Sequence, residues 1–284
     1  MEYLMTYGWA ILIIAVVLGV LFQLGIFSGS ALTPRAQPGS CEVLRTAAST
    51  SLEGLCQGQL PQYVAGFTSS GYVSAATSNY PLSNGGTVAV WINDYLGGSS
   101  CTALLGLSFQ SGNSLNVYDP RCYSNVGGTN VYGVSSVPSV CTNLGQAGTT
   151  GNYKNRLSQL VITFNSVGFT FYANGTDYAS IVYSSSMGSL ALAGITAGAG
   201  DCAASVGGVN EANFQVYNAT LSAAEIKALY LEGVGGAPIR IQNLVGWWPL
   251  NGNANDYSGN NNNGQVTGTG VSFNSTWNSQ YSPP

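Results

Sequence analysis

The groups able to do chemistry in this chain are eleven carboxylates and six cysteines, with no histidine among 284 residues. Without an imidazole, a serine or cysteine nucleophile lacks its usual base, and metal sites lose their commonest nitrogen ligand. The acids are Glu2, Glu42, Glu53, Asp94, Asp119, Asp177, Asp201, Glu211, Glu225, Glu232 and Asp256. No predicted strand carries two of them on one face, whereas glycoside hydrolysis needs two carboxylates flanking one bond. The sequence therefore predicts no enzymatic activity. Cys41, Cys56, Cys101, Cys122, Cys141 and Cys202 form no C-x-x-C pair, and a zinc site without histidine would need four thiolates at other spacings. An even set of dispersed cysteines predicts disulfides and an oxidising compartment.

Six cysteines allow about fifteen pairings, and one set is favoured. A hairpin around Gln110-Ser-Gly-Asn113, in the register centred on that turn, places Cys101 opposite Cys122. Cys41 and Cys56 would close the segment that precedes the large domain, leaving Cys141 with Cys202. Three sequons, at Asn174, Asn218 and Asn274, fit the same compartment as glycosylation sites. Asp256 lies in an Asn-rich loop, Asn251–Asn263, whose oxygens suit calcium; the competing reading is a set of Asx-turns. No other cofactor is implied.

Charged residues make up 6% of the chain, and the net charge is -4. No basic surface exists to neutralise phosphates, so nucleic-acid binding is not expected. With so few charges and no histidine, stability should be nearly flat between about pH 5 and 8. Hydrophobic residues at 45% and aromatics at 11% are enough for a packed core.

The elements that must position these groups begin with an uncharged run from Tyr3 to Phe27, about long enough to cross a bilayer as a helix. The first basic residue is Arg35, after the run, which by the positive-inside tendency conflicts with an extracellular remainder unless a basic leader once preceded Met1. The stretch MEYLMTYGWAILIIAVVLGVL, with Glu2 just ahead of the apolar helix, resembles the N-terminal helix of archaeal type IV pilins. That resemblance implies a filament core of packed helices, membrane insertion before assembly, and a role for Glu2 at a neighbour's amino terminus. Gly8, Ala15 and Gly19 are the small residues that would permit close helix approach.

The sequence divides into a hydrophobic helix (1–30), a neck with Cys41 and Cys56 (31–62) and a β-rich domain (63–284). The neck is predicted from the breakers of SGSALTPRAQPGS. Alternating segments at Thr87–Asn93, Thr102–Phe109, Leu160–Phe164 and Phe169–Ala173, with a turn at Asn174-Gly175, predict an antiparallel sandwich. One helix is expected after Leu221, with Ser222 and Glu225 as a capping box and Gly233 to end it. The pieces GGTVAVWIN, NRLSQLVITFNSVGFTFYANG and NFQVYNATLSAAEIKALYLEG resemble laminin-G-like jelly rolls of the concanavalin A-like group. LVGWWPLNGNANDYSGNNNNG also matches, but such a piece ordinarily opens the domain, and here it starts at Leu244. That displacement implies a circular permutation, with the first strand of the sheet supplied from the C-terminal end.

The expected function is structural: a subunit of an archaeal pilus-like extracellular filament, self-associating through its helices, with the jelly roll as an outer wall that also suits adhesion. The alternative is a cell-surface, carbohydrate-binding protein on a single membrane anchor. Exposed aromatics stacking on surface glycans would serve it.

Overall fold

The computed structural model describes residues 2–23, 34–69, 71–82, 85–94, 103–112, 114–118, 130–136, 142–149, 156–182, 190–199 and 206–284. Helix α1, Glu2–Gln23, has 22 residues. Its described side chains, residues 8–21, are apolar throughout and almost all exposed, from 69% at Trp9 to 43% at Leu18. Among the described residues no helix is long and apolar enough to cross a membrane.

The strands that follow are β1 Arg35–Ala36, β2 Cys41–Arg45, β3 Thr50–Gly54, β4 Leu60–Pro61, β5 Val64–Ser69, β6 Tyr72–Pro81, β7 Gly86–Asp94, β8 Ala103–Phe109, β9 Ser114–Tyr118 and β10 Asn130–Ser136. Then come β11 Thr142–Thr149, β12 Ser158–Phe164, β13 Gly168–Ala173, β14 Thr176–Val182, β15 Ala191–Ala197, β16 Val206–Tyr217, helix α2 Ala223–Leu231, β17 Leu244–Trp248, β18 Gln265–Thr267 and β19 Val271–Asn274. Two antiparallel sheets result. One runs β11-β10-β9-β8-β15-β6-β18, and the other β14-β13-β12-β7-β16-β5-β19, with β17 joined to β16. Phe67, Val90, Ile162 and Phe214 of the second sheet share one buried cluster with Val73, Leu107, Leu115 and Ile195 of the first. Strand-to-strand alternation of inward apolar residues therefore produces a mainly β sandwich with one inter-sheet core.

The outer face of the second sheet is also covered. Every residue of β12 is buried, because α2 lays Ile226 and Leu229 over Val161 and Tyr217. Helix α2 starts as its sequence predicts: Ser222 and Glu225 form the reciprocal capping box, and Gly233 follows the helix at φ 79°. Asn174 and Gly175 take positive φ, 50° and 73°, in the tight turn joining β13 to β14.

Strand β17 is the displaced piece, and it pairs antiparallel with its own chain: Gln215 faces Trp247 and Phe214 faces Trp248. It continues the lane that β5 occupies beside the first half of β16. Trp247 is 3% exposed and Trp248 1%, and burial of each ring favours the fold by about 4–6 kcal/mol as an upper bound. Gly246 is required there, since a Cβ would run into the Trp248 ring. Beyond β17, β18 adds to the β6 edge and β19 to the β5 edge, so one C-terminal stretch protects an edge of each sheet.

Two expectations are corrected. The hairpin of β8 and β9 forms, but Ser108 rather than Phe109 stands opposite Ser114, and a bulge at Leu104 shifts the far end so that Ala103 faces Tyr118. The centred register, and with it the geometric case for Cys101 opposite Cys122, is not what the strands adopt. The bulge lets Leu104 and Leu105 both be buried. Cys101, Cys122, Cys141 and Cys202 lie outside the described residues. The segment read as a neck, secondly, is folded onto the sandwich from Pro34 onward. β1 pairs with β4, and Val43 of the β2–β3 hairpin is buried with Tyr217 and Trp247.

Candidate functional site

The densest polar constellation surrounds Asp256. Its Oδ1 accepts from Trp247 N and Ser258 N, each at 2.9 Å, and its Oδ2 accepts from Asn262 N at 2.9 Å. Asn263 Oδ1 accepts from Asp256 N at 2.9 Å. The carboxylate thus holds the loop in a nest of three main-chain donors, as the Asx-turn reading expects. These contacts do not fit a calcium site at Asp256, because the lone pairs a cation needs already face N–H groups. Among the described residues no group of three Cys, Asp or Glu side chains could hold a metal.

The loop caps the free edge of β17. Asn260 Nδ2 donates to Leu244 O and Val245 O at 2.9 Å, and Asn262 Nδ2 donates to Val245 O at 2.8 Å. Tyr257 N donates to Trp247 O at 2.7 Å, and Trp248 Nε1 donates to Asn262 O at 2.9 Å. Arg45 closes the site from the hairpin side: its guanidinium donates to Ile241 O, Leu244 O and Ser258 O at 2.8 to 2.9 Å. Val43 N donates to Tyr257 O at 2.8 Å. Sequence reasoning missed Arg45 entirely; its signal, a basic residue in a chain with only seven, was visible but unspecific.

Beneath this cap, Asn213 Oδ1 accepts from Trp247 Nε1 at 2.7 Å and from Gln215 Nε2 at 2.9 Å, and Gln215 Oε1 accepts from Tyr217 Oη at 2.6 Å. Burial pushes the Tyr217 hydroxyl far above the ordinary phenol range, so it stays a donor. The polar ladder fixes β17 to β16 and leaves its side chains internally satisfied.

The described acids are distributed without a catalytic cleft. Glu225 serves the α2 cap and lies 3.6 Å from Arg240, contacts that hold its carboxyl below the usual range, the Ser222 main-chain bond first among them. Glu42 and Glu53 face each other across β2 and β3, a pairing the sequence did not reveal, but both are exposed on the hairpin surface. Glu211 is fully buried between the sheets.

Cys41 and Cys56 form the expected disulfide, with Cα atoms 4.9 Å apart, and a disulfide marks an oxidising environment. The sequon asparagines are half-buried. Asn174 Oδ1 accepts from Gln159 N, Asn218 Oδ1 from Asn243 Nδ2, and Asn274 Oδ1 from Thr276 N and Oγ1. In each the bonded atom is the carbonyl oxygen, which an N-linked glycan leaves intact.

One surface groove, of about 250 Å³, crosses the ends of β12, β13 and β14. Thr163, Thr170, Ser180 and Thr220 contribute hydroxyls, with Asn165 at one end, and Val167 and Val182 form apolar walls. Thr170 and Ser180 share a 2.8 Å hydrogen bond. Among the described residues no charged one lines the groove. Within the described part of the sandwich the aromatic side chains are buried or half-buried. Trp91, Trp247, Trp248, Trp277, Tyr172, Tyr217 and Tyr281 are buried, and Trp91 stacks on the half-buried Tyr230.

No protein-family profile matches the chain, and no curated protein does. Solved structures do. A candidate carbohydrate-binding protein from Bacteroides ovatus superposes with a TM-score of 0.53 at 13% identity, over 92% of this chain and 84% of that one. A SAP-like pentraxin from Limulus polyphemus gives 0.46 at 11% identity, over 62% of this chain and 84% of that one. At such identity the first likeness shows the fold alone, a jelly-roll-like β-sandwich.

Asp256→Ala removes one acceptor from three main-chain donors and should lower stability by about 2–3 kcal/mol. Asp256→Asn, which keeps one oxygen, should cost less. Urea unfolding measures both, and the midpoint for the natural chain should not move when calcium is exchanged for a chelator.

Proposed function

We propose that the chain is a structural subunit of an extracellular, type IV pilus-like filament, with α1 in the core and the sandwich as the outer wall. The observation that carries this reading is α1 itself. Its apolar side chains are exposed on every side from Trp9 to Val20, a surface too large to leave in water. A helix apolar all round must be enclosed all round, by lipid before assembly and by other copies of α1 afterwards. A Cβ added at Gly8 or Gly19 would meet nothing within 4 Å, so these positions, with the exposed Ala15 between them, leave room for a neighbouring backbone. The helix starts at Glu2, where the pilin resemblance expects its acid. The disulfide and the sequons support an extracellular location, and no catalytic role is part of the reading.

A second reading, glycan binding, has its own support in the uncharged hydroxyl-lined groove and in the name of the Bacteroides ovatus protein. It is compatible with the first, as a sugar-binding wall on a filament or on a membrane-anchored chain.

Ala15→Glu should abolish sedimentable filaments in sheared culture supernatant while the Cys41–Cys56 peptide pair still maps as a disulfide; normal filaments would sink the assembly reading. For the second reading, Thr170→Trp fills the groove, and neutral glycans captured by the natural protein on an array should be lost. Retained capture would place sugar binding elsewhere.

A further inference from the structure

Among the described residues Glu211 is the one carboxylate placed inside the sandwich. Val209, two residues before it on β16, belongs to the inter-sheet core, and Glu211 itself is 0% exposed. Its Oε1 accepts from Gly198 N at 3.1 Å. Gly198 follows β15 in the facing sheet and also donates to Leu104 O of β8, so the Glu211 side chain bridges the two sheets at this end of the core. The approach is close: Gly198 has φ 76°, and a Cβ there would run into Phe67. The second carboxyl oxygen, Oε2, is buried without a hydrogen-bond partner.

We propose that Glu211 is a proton-operated lock between the sheets: protonated, it holds this end of the sandwich closed, and loss of its proton loosens it. A neutral carboxyl keeps the bond from Gly198 and leaves one hydroxyl unsatisfied. An ionised carboxyl would leave a full charge in the core with a single N–H to stabilise it, a far greater cost. Burial, only partly offset by the Gly198 bond, holds the group well above the usual carboxylate range.

Among the described residues the neighbouring elements offer no counter-charge. β5, β8 and β15 contain no ionisable side chain. The neighbouring strand β7 contributes Asp94, whose main chain pairs with that of Val209 in the ladder. Asp201 lies outside the described residues.

The sign follows from linkage. An acid whose folded value is raised contributes its full stability below the unfolded value of about 4.5, and that contribution is lost as pH rises toward the folded value. In contrast to the flat profile expected from composition, the fold should then be most stable in acid and weaken toward neutrality.

The test is urea unfolding of the full chain in mild detergent at pH 4.5, 6.0 and 7.5. The unfolding constant should rise by up to about tenfold per pH unit. Glu211→Gln, which keeps an oxygen for Gly198 N, should remove that slope, and Asp94→Asn should keep it. A natural chain whose stability is constant or increases over this range overturns the proposal even if the Gln variant does not fold. So does a folded Glu211→Gln protein with the natural slope.

Discussion

The structure depends on the antiparallel pairing of Leu244–Trp248 with the second half of β16. Without it, Gln215, Tyr217 and the buried Asn213 would lose the indole donor that organises their ladder, and the Trp248 ring would leave the inter-sheet core. An added strand also creates a new edge, with unpaired main-chain groups that invite association. The chain meets that constraint locally. Side chains of Asp256, Asn260, Asn262 and Arg45 occupy the donors and acceptors that a further strand would otherwise use.

The same interaction joins the two ends of the domain. Arg45 and Val43, on the hairpin closed by Cys41–Cys56, bind main-chain atoms at residues 241–258, and Arg35 donates to Ser275 O at 2.7 Å. The stretch from Arg35 to Arg45 is therefore fastened to the C-terminal strands across the outer face of the sheet. In the filament reading, load carried from a core helix would enter the domain through this clasp. Fastening by main-chain acceptors is tolerant of sequence, which suits a chain rich in Asn, Ser and Gly.

Much of this was legible. Period-two alternation located β7, β12 and β13, Ser222 and Glu225 announced α2, and Trp247-Trp248 in an otherwise polar stretch required burial. The displaced strand was readable because its apolar content demanded a sheet. Other features were hidden for physical reasons. The bulge at Leu104 slips a register by one, and no local residue type marks it. The neck looked like a linker because Pro34, Pro38 and Gly39 lie near its start, while the buried face of its hairpin rests on Val43 alone. The Asn-rich loop was ambiguous between cation binding and capping until its donors could be placed. Glu211 follows Asn210 in a strand whose alternation is broken by a bulge after Ala212, so its inward direction could not be assigned.

The central claim, that Leu244–Trp248 completes the sheet of its own chain, is tested most directly by amide hydrogen exchange in the full-length protein. Peptides spanning 244–250 and 209–217 should show equal, core-level protection that does not depend on protein concentration. Exchange of 244–250 at the rate of an open loop, or protection that appears only as concentration rises, would contradict it.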